Sequence, residues 1–306
     1  MLRELTGDER AAYFSGIQPI WGGGLEETRF VAFQRRLADS PEARDRYRLL
    51  GWFSPEGALL SAMKAYHLGG SCAGRPLQLL GVGAVFTPVE LRRRGYAAEM
   101  LKAAMDEFRA RGAQAAVLFS DIDAGYYVRL GFRALESREC TIEAAQLPRR
   151  AGYRPAFAGD EEEMTSLLAA ARNDDRRFAL ARDGWTLRFQ LRRLRELARA
   201  RGSGEPEWGL VTEGGAAMLR FGRDTLDLLD AAWTSDAARD RVLAGLRDCM
   251  QRAGRPRLRL WPAAQLRGLF AESERASAIA MVAPLTADAP VPEAGGPAEL
   301  ALLDHI

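Results

Sequence analysis

Residues 82–98 read VGAVFTPVELRRRGYAA, and this stretch constrains the fold more than any other. An apolar, β-prone run over 76–86 passes through a proline and three successive arginines into the start of a helix. Gly81 and Gly83 interrupt the run, as suits a strand approached closely by another backbone or a ligand. From 96 to 111, Ala97, Leu101, Ala104, Met105 and Phe108 recur at helical spacing. Lys102–Asp106 and Glu107–Arg111 pair on the other face, and Gly112 ends the helix. Ala115 to Phe119 then reads as a short buried strand. The first turn of a helix in such a unit has free N–H groups and the positive end of the helix dipole, so it suits a diphosphate. Gly95 and Ala97 are small enough to admit one, and Arg92, Arg93 and Arg94 supply charge. The competing reading is an ordinary β–α turn with solvated arginines. A dinucleotide fingerprint is excluded, because Gly81-x-Gly83 lacks the third glycine and lies inside the strand.

A second informative segment, 117–132, reads VLFSDIDAGYYVRLGF. The strand ends at Ser120 and Asp121, and Tyr126 to Leu130 forms a short helix closed by Gly131. Taken alone, Tyr126-Tyr127 is a pair that packs in a core with one wet hydroxyl.

Together the two segments carry a family resemblance. Arg92-x-x-Gly95-x-Ala97 resembles the R/Q-x-x-G-x-G/A signature of GNAT N-acetyltransferases, at the same strand-to-helix junction. Tyr126-Tyr127-x-Arg-Leu-Gly-Phe resembles their second motif. The resemblance covers 79–132 closely and implies that this span binds acetyl-CoA in a mixed, mostly antiparallel α+β sheet. It implies that Val85, Phe86 and Thr87 offer backbone groups to the pantetheine arm. Arg92, Arg93, Arg94, Gly95, Tyr96, Ala97 and Ala98 would hold the diphosphate, and Tyr126 would pack beside the cofactor. Tyr127 is the implied general acid for the leaving thiolate. Ser120, with Asp121, would orient Tyr127, a water or the amine; helix capping is the other reading of both. Glu90 and His67 are lesser candidates for the base, and a water-mediated base is equally open; separately, some GNATs place a chain terminus in the active site, which makes the C-terminal carboxylate of Ile306 a candidate to lie there. The wider layout, with Gly83-Ala-Val-Phe-Thr-Pro, Phe119-Ser-Asp121 and a trailing domain, resembles yeast-type lysine N-epsilon-acetyltransferases.

The chain has 306 residues, enough for two domains of ordinary size, and a division near 150 is expected: a catalytic domain at 1–150 and a second at 151–306. Pro148 to Pro155 reads as the linker. Met100 to Ser120 and Val242 to Pro262 share a helix, glycine turn and strand pattern, aligning Gly112 with Gly254 and Leu101 with Leu243. In that register Arg92, Arg94, Gly95 and Ala97 fall opposite Thr234, Asp236, Ala237 and Arg239, so the second copy has lost its phosphate loop. The second domain is therefore expected to be GNAT-like but unable to bind CoA, and to shape the acceptor site around Trp185, Arg188 and Gln190.

A formal net charge of +2 gives no global argument for nucleic acid or an acidic membrane. Cys72, Cys140 and Cys249 are odd in number and lack metal-ligand spacing, so a reduced cytoplasmic protein without a metal is expected. The function expected is acetyl transfer from acetyl-CoA to the primary amine of a small molecule, such as an amino acid. A non-catalytic acyl-CoA sensor and a protein N-acetyltransferase are the alternatives.

Overall fold

The computed structural model describes residues 1–149, 153–156, 158–171, 177–202, 208–222 and 224–305. The first half runs β1 (Leu2–Glu4), α1 (Gly7–Trp21), α2 (Glu27–Ala38), β2 (Tyr47–Phe53), β3 (Leu59–Cys72), β4 (Arg75–Phe86), α3 (Tyr96–Ala110), β5 (Ala115–Ser120), α4 (Gly125–Val128), β6 (Arg133–Ala134) and β7 (Arg138–Glu143). β1 to β4 pair antiparallel in sequence order. β3 and β4 form a long hairpin, which Ala73 and Gly74, both left-handed at φ 50° and 71°, close tightly between Cys72 and Arg75. α3 then crosses over and returns the chain as β5, parallel to β4. Its stripe of Met100, Leu101, Ala104 and Phe108 is buried against one face of the sheet. α1 and α2 cover the other face through Tyr13, Phe14, Ile17, Phe30 and Phe33.

The second half runs β8 (Arg154–Pro155), α5 (Glu161–Ala170), β9 (Phe178–Leu180), α6 (Gly184–Arg201), β10 (Gly209–Thr212), β11 (Gly215–Phe221), β12 (Thr225–Trp233), α7 (Asp236–Arg252), β13 (Arg257–Leu260), β14 (Ser273–Glu274), β15 (Ile279–Pro284) and β16 (Ala298–Glu299). β10, β11 and β12 form an antiparallel meander, and α7 returns the chain as β13 parallel to β12. That order repeats β2, β3, β4, α3 and β5, so the second copy expected from the sequence is present as a fold.

The division at 150 does not separate the two sheets. The first sheet has the order β1-β2-β3-β4-β5-β15-β6, with β9 beside β3 and β16 beside β9. The second has the order β14-β7-β13-β12-β11-β10-β8. β7 has therefore left the first sheet before residue 150, and β15 comes back from the end of the chain to lie between β5 and β6. Of the expected linker, 150–152 lie outside the described residues and Arg154–Pro155 is an edge strand.

α6 joins the two halves because it is apolar on two sides. Leu187, Leu191 and Leu194 belong to the core of the second half, whereas Phe189 and Ala200 belong to that of the first. No helix among the described residues is long and apolar enough to cross a membrane.

Candidate active site

The site begins where two parallel strands part. β4 and β5 pair from Leu79↔Ala115 to Val82↔Leu118 and no further. The register of β3 against β4 slips between Ala62↔Phe86 and Lys64↔Gly83. Ala84 stands at φ 46° in this bulge, and such an insertion bends the strand out of the ladder. The Tyr13 hydroxyl donates to the Ala84 carbonyl at 2.6 Å and fixes the bent peptide. Phe86 packs so closely on α1 that a Cβ at Gly16 would lie 2.5 Å from its ring. From Gly83 to Phe86, β4 thus has no strand partner on the β5 side.

The turn into α3 supplies the second part. Arg93 and Gly95 are both left-handed, at φ 62° and 86°. Gly95 is the N-cap residue, and no side chain caps the helix, so the first N–H groups of α3 remain available. Alternating left-handed residues ahead of a helix concentrate N–H groups into an anion-binding concavity. The Arg92 Nε–H donates to the Thr87 carbonyl at 3.1 Å, which steadies the turn.

A cavity of about 750 Å³ runs along the open strand edge and this turn. Val85, Phe86, Thr87, Arg92, Arg93, Gly95, Tyr96, Ala97 and Ala98 all line it, as do Tyr126 and Tyr127. Arg94 does not; lying between the two left-handed residues, it is directed outward and is exposed.

Tyr127 is buried, with its ring edge-on to Tyr126 at 5.0 Å and to Phe132 at 5.9 Å. Burial, with smaller contributions from Tyr126 and Asp121, pushes its phenol up to about 12. The group is therefore protonated at neutral pH. Ser120 departs from expectation. Its hydroxyl donates to the Ile122 carbonyl at 2.9 Å and accepts from the Ile122 N–H at 3.3 Å, closing a turn off the cavity. Asp121 does line the cavity, with one carboxylate oxygen accepting from the Ala278 N–H at 3.0 Å. Neither candidate base reaches it: His67 stacks on Phe108 at 4.4 Å, and Glu90 is exposed in the turn before Leu91.

Beyond the strand edge and the turn into α3, the cavity extends between α2, α6, β11 and His305. Gln34, Lys64, Arg193, Leu197, Arg220 and His305 line this half. α6, the helix expected to shape the acceptor site, does line the cavity, but through residues other than the three expected. Trp185 stacks on Phe189 at 5.0 Å and donates to the Glu42 carbonyl at 2.6 Å. Gln190 donates to the Leu303 carbonyl at 2.9 Å, and Arg188 is exposed. All three are absent from the cavity wall, which the next two turns of α6 form. His305 arrives there because Asp304 is anchored by the buried Arg182, which also pairs with Asp230 of β12. Ile306 lies outside the described residues.

The corresponding places in the second half are closed. Ser235 caps α7 by accepting from the Ala238 N–H at 3.2 Å, and Asp236 beside it pairs with Arg239. β12 and β13 part after Leu228↔Leu260. The Gln265 side chain enters the gap, accepting from the Trp233 N–H and donating to the Trp233 carbonyl, both at 2.9 Å. A side-chain amide thus fills the wedge that β4 and β5 leave open.

Residues 2–135 match the family described as acetyltransferase (GNAT) domain. No curated protein matches the chain. Among solved structures, the chain is similar to a GCN5-related N-acetyltransferase from Kribbella flavida, with TM-score 0.67 and 16% identity over 92% of this chain and 70% of that one. It is similar to a conserved protein of unknown function from Enterococcus faecalis V583, a probable N-acyltransferase, with TM-score 0.69 and 13% identity over 95% of this chain and 73% of that one. A tandem GNAT protein from the clavulanic acid biosynthesis pathway aligns with TM-score 0.53 and 10% identity over 94% and 98%. At these identities the likeness is one of fold, and it extends over both halves.

Proposed function

We propose, from a chain whose residues 2–135 match the GNAT acetyltransferase domain family, that it transfers acetyl from acetyl-CoA to the primary amine of a small molecule, with Tyr127 as general acid. One observation carries the reading: a single cavity joins the uncapped start of α3, the unpaired edge of β4 and Tyr127. The residues present fit the cosubstrate. Backbone N–H groups at 95–98 with Arg92 and Arg93 match a diphosphate, and the edge at Val85 to Thr87 matches an amide-bearing arm. Gly95 has open space where a Cβ would stand, which fits close approach of a ligand to the backbone.

Acetyl-CoA supplies an activated thioester. The neutral amine attacks its carbonyl carbon directly; a C–N bond forms, the C–S bond breaks, and the amine's surplus proton passes to water. Tyr127 gives its proton to the departing sulfur, and its raised pKa keeps that proton in place beforehand. Enclosure of the acceptor half by α2, α6, β11 and His305 favours a small amine, such as an amino acid, over a protein.

The test is thiol release from acetyl-CoA across a panel of primary amines, beside calorimetry with CoA. Tyr127→Phe should lower kcat about 10²- to 10³-fold with the CoA Kd held. An unchanged rate removes Tyr127 from the reaction. CoA binding without thiol release from any amine favours a sensor.

A further inference from the structure

Among the described residues, the acceptor half of the cavity carries more positive charge than the neighbouring carboxylates compensate. Arg220 bonds Asp227 through Nε at 3.0 Å and Nη2 at 2.8 Å, but the same carboxylate accepts from Arg259 at 3.0 and 3.1 Å. One anion between two guanidinium groups leaves a net positive charge. The Lys64 ammonium donates to the neutral Gln34 amide oxygen at 2.9 Å. Arg193 donates from Nη1 to the His305 carbonyl at 3.1 Å. No described carboxylate forms an ion pair with Lys64 or Arg193. Both lie close enough for Arg193 to disfavour charge on Lys64, and for Arg220 to disfavour charge on Arg193. His305 adds no further positive charge, since burial and the surrounding arginines hold its imidazole neutral, and an imidazole cannot serve as an anion. Asp121, the acidic side chain on the cavity wall, stands beside Tyr127 and is already engaged by the Ala278 N–H.

Gathering cations on a partly desolvated wall without anions costs several kcal/mol. Leucine or methionine would fill such a wall without that cost. A guanidinium with spare forked donors meets a carboxylate with two parallel hydrogen bonds. Phe30, Phe33 and Leu197 add apolar surface to the same cavity.

We propose that Arg193, flanked by Lys64 and Arg220, is the anion subsite of the acceptor, and that the acceptor is a small primary amine bearing a carboxylate. The assignment rests on the acetyl-transfer reading above, because it places the carboxylate at Arg193 so that the amine faces the thioester. It deepens that reading by making the carboxylate, rather than the amine alone, the group recognised.

The test compares amines that differ only in a carboxylate: phenylalanine with phenethylamine, and lysine with cadaverine. With acetyl-CoA, kcat/KM for at least one carboxylated member should exceed its partner's by about 10²-fold or more. Arg193→Met should collapse that ratio toward unity, and Arg193→Lys, which keeps charge but loses the fork, should give an intermediate ratio. Both variants are checked by their melting curves and CoA isotherms. Calorimetry of the same amines on CoA-saturated protein keeps the test separate from turnover: carboxylate-dependent binding lost in Arg193→Met supports the subsite even if no thiol is released. Equal or better use of the decarboxylated amines, or a preference untouched by Arg193→Met, overturns it. So does an Arg193-dependent preference for succinyl-CoA over acetyl-CoA with no preference among amines, which would assign the subsite to the donor.

Discussion

Tyr127 and Lys64 face the same cavity, yet only Tyr127 could be singled out from the sequence. Tyr127 sits in a contiguous string with a strand before it and a glycine after it. Lys64, Arg193, Arg220 and His305 come from four distant segments, each of which reads locally as a solvated charge or an ordinary polar end. What marks Lys64 is its environment: burial first, and Arg193 second, bring its ammonium down to about 7. In an unfolded chain a lysine titrates near ~10.4. Below the folded value both states carry the proton, and the folded state bears the full cost of an unpaired cation. Between the two values the unfolded state binds more protons, so this contribution grows more favourable as pH rises. Replacing Lys64 with Met should therefore stabilise the protein by roughly 1–2 kcal/mol at pH 6, allowing for residual solvent. The gain should shrink as pH approaches 10. Urea unfolding at the two pH values measures it; a gain that is absent at pH 6, or no smaller at pH 10, would show that the site does not desolvate the ammonium.

At the scale of elements, those built from local pattern were legible and those built from pairing were not. α3 and β5 lie close to where periodicity places them, and α7 and β13 where the internal repeat places them. The strands β6, β9 and β16 carry too few residues for a pattern, and β15, though as long as β5, belongs to the first sheet only through partners distant in sequence. The open wedge of the first sheet and the closed one of the second differ in two local devices, and each can be tested. Gly95 at φ 86° lets the turn deliver bare N–H groups to the cavity. Gly95→Ala meets no clash but must adopt a left-handed conformation, costing about 1–2 kcal/mol. The CoA Kd should rise about tenfold, and an unchanged isotherm would mean the turn is not part of the cradle. Gln265→Leu acts oppositely. It leaves the Trp233 N–H and carbonyl without that partner, so it should destabilise the protein by about 1–3 kcal/mol and leave the CoA Kd alone. A CoA Kd that moves with Gln265 would mean the second wedge communicates with the first.

At the scale of the whole molecule, the expected boundary at 150 misses the return of β15. Ile279 to Pro284 pairs residue by residue with Ser120 to Ala115, and Met281 and Val282 pair with β6. Ala280, Met281, Val282 and Ala283 are buried by that insertion. A chain ending at 150 thus loses an interior strand, not a neighbour. β5 and β6 would be separated by an unfilled gap, and the edge of β5, with Val117 and Leu118, would be a template for aggregation. The same cut removes Phe189 of α6 from its contacts with Tyr47 and Tyr66. Residues 1–150 alone should accordingly give no cooperative melt and no CoA isotherm, although they contain every residue of the proposed cradle and Tyr127. Supplying residues 151–306 as a second chain during expression should restore soluble protein that binds CoA, because the missing strand pairs through backbone groups and does not need to be covalently continuous. If residues 1–150 instead melt cooperatively and bind CoA, β15 is dispensable and the two halves are independent domains. If they fail and are rescued in trans, the two halves of the cavity fold as one cooperative unit, and the wall that carries Arg193 and His305 depends on the strand inserted between β5 and β6, whose Ala280 pairs with the Phe119 that meets the His305 ring.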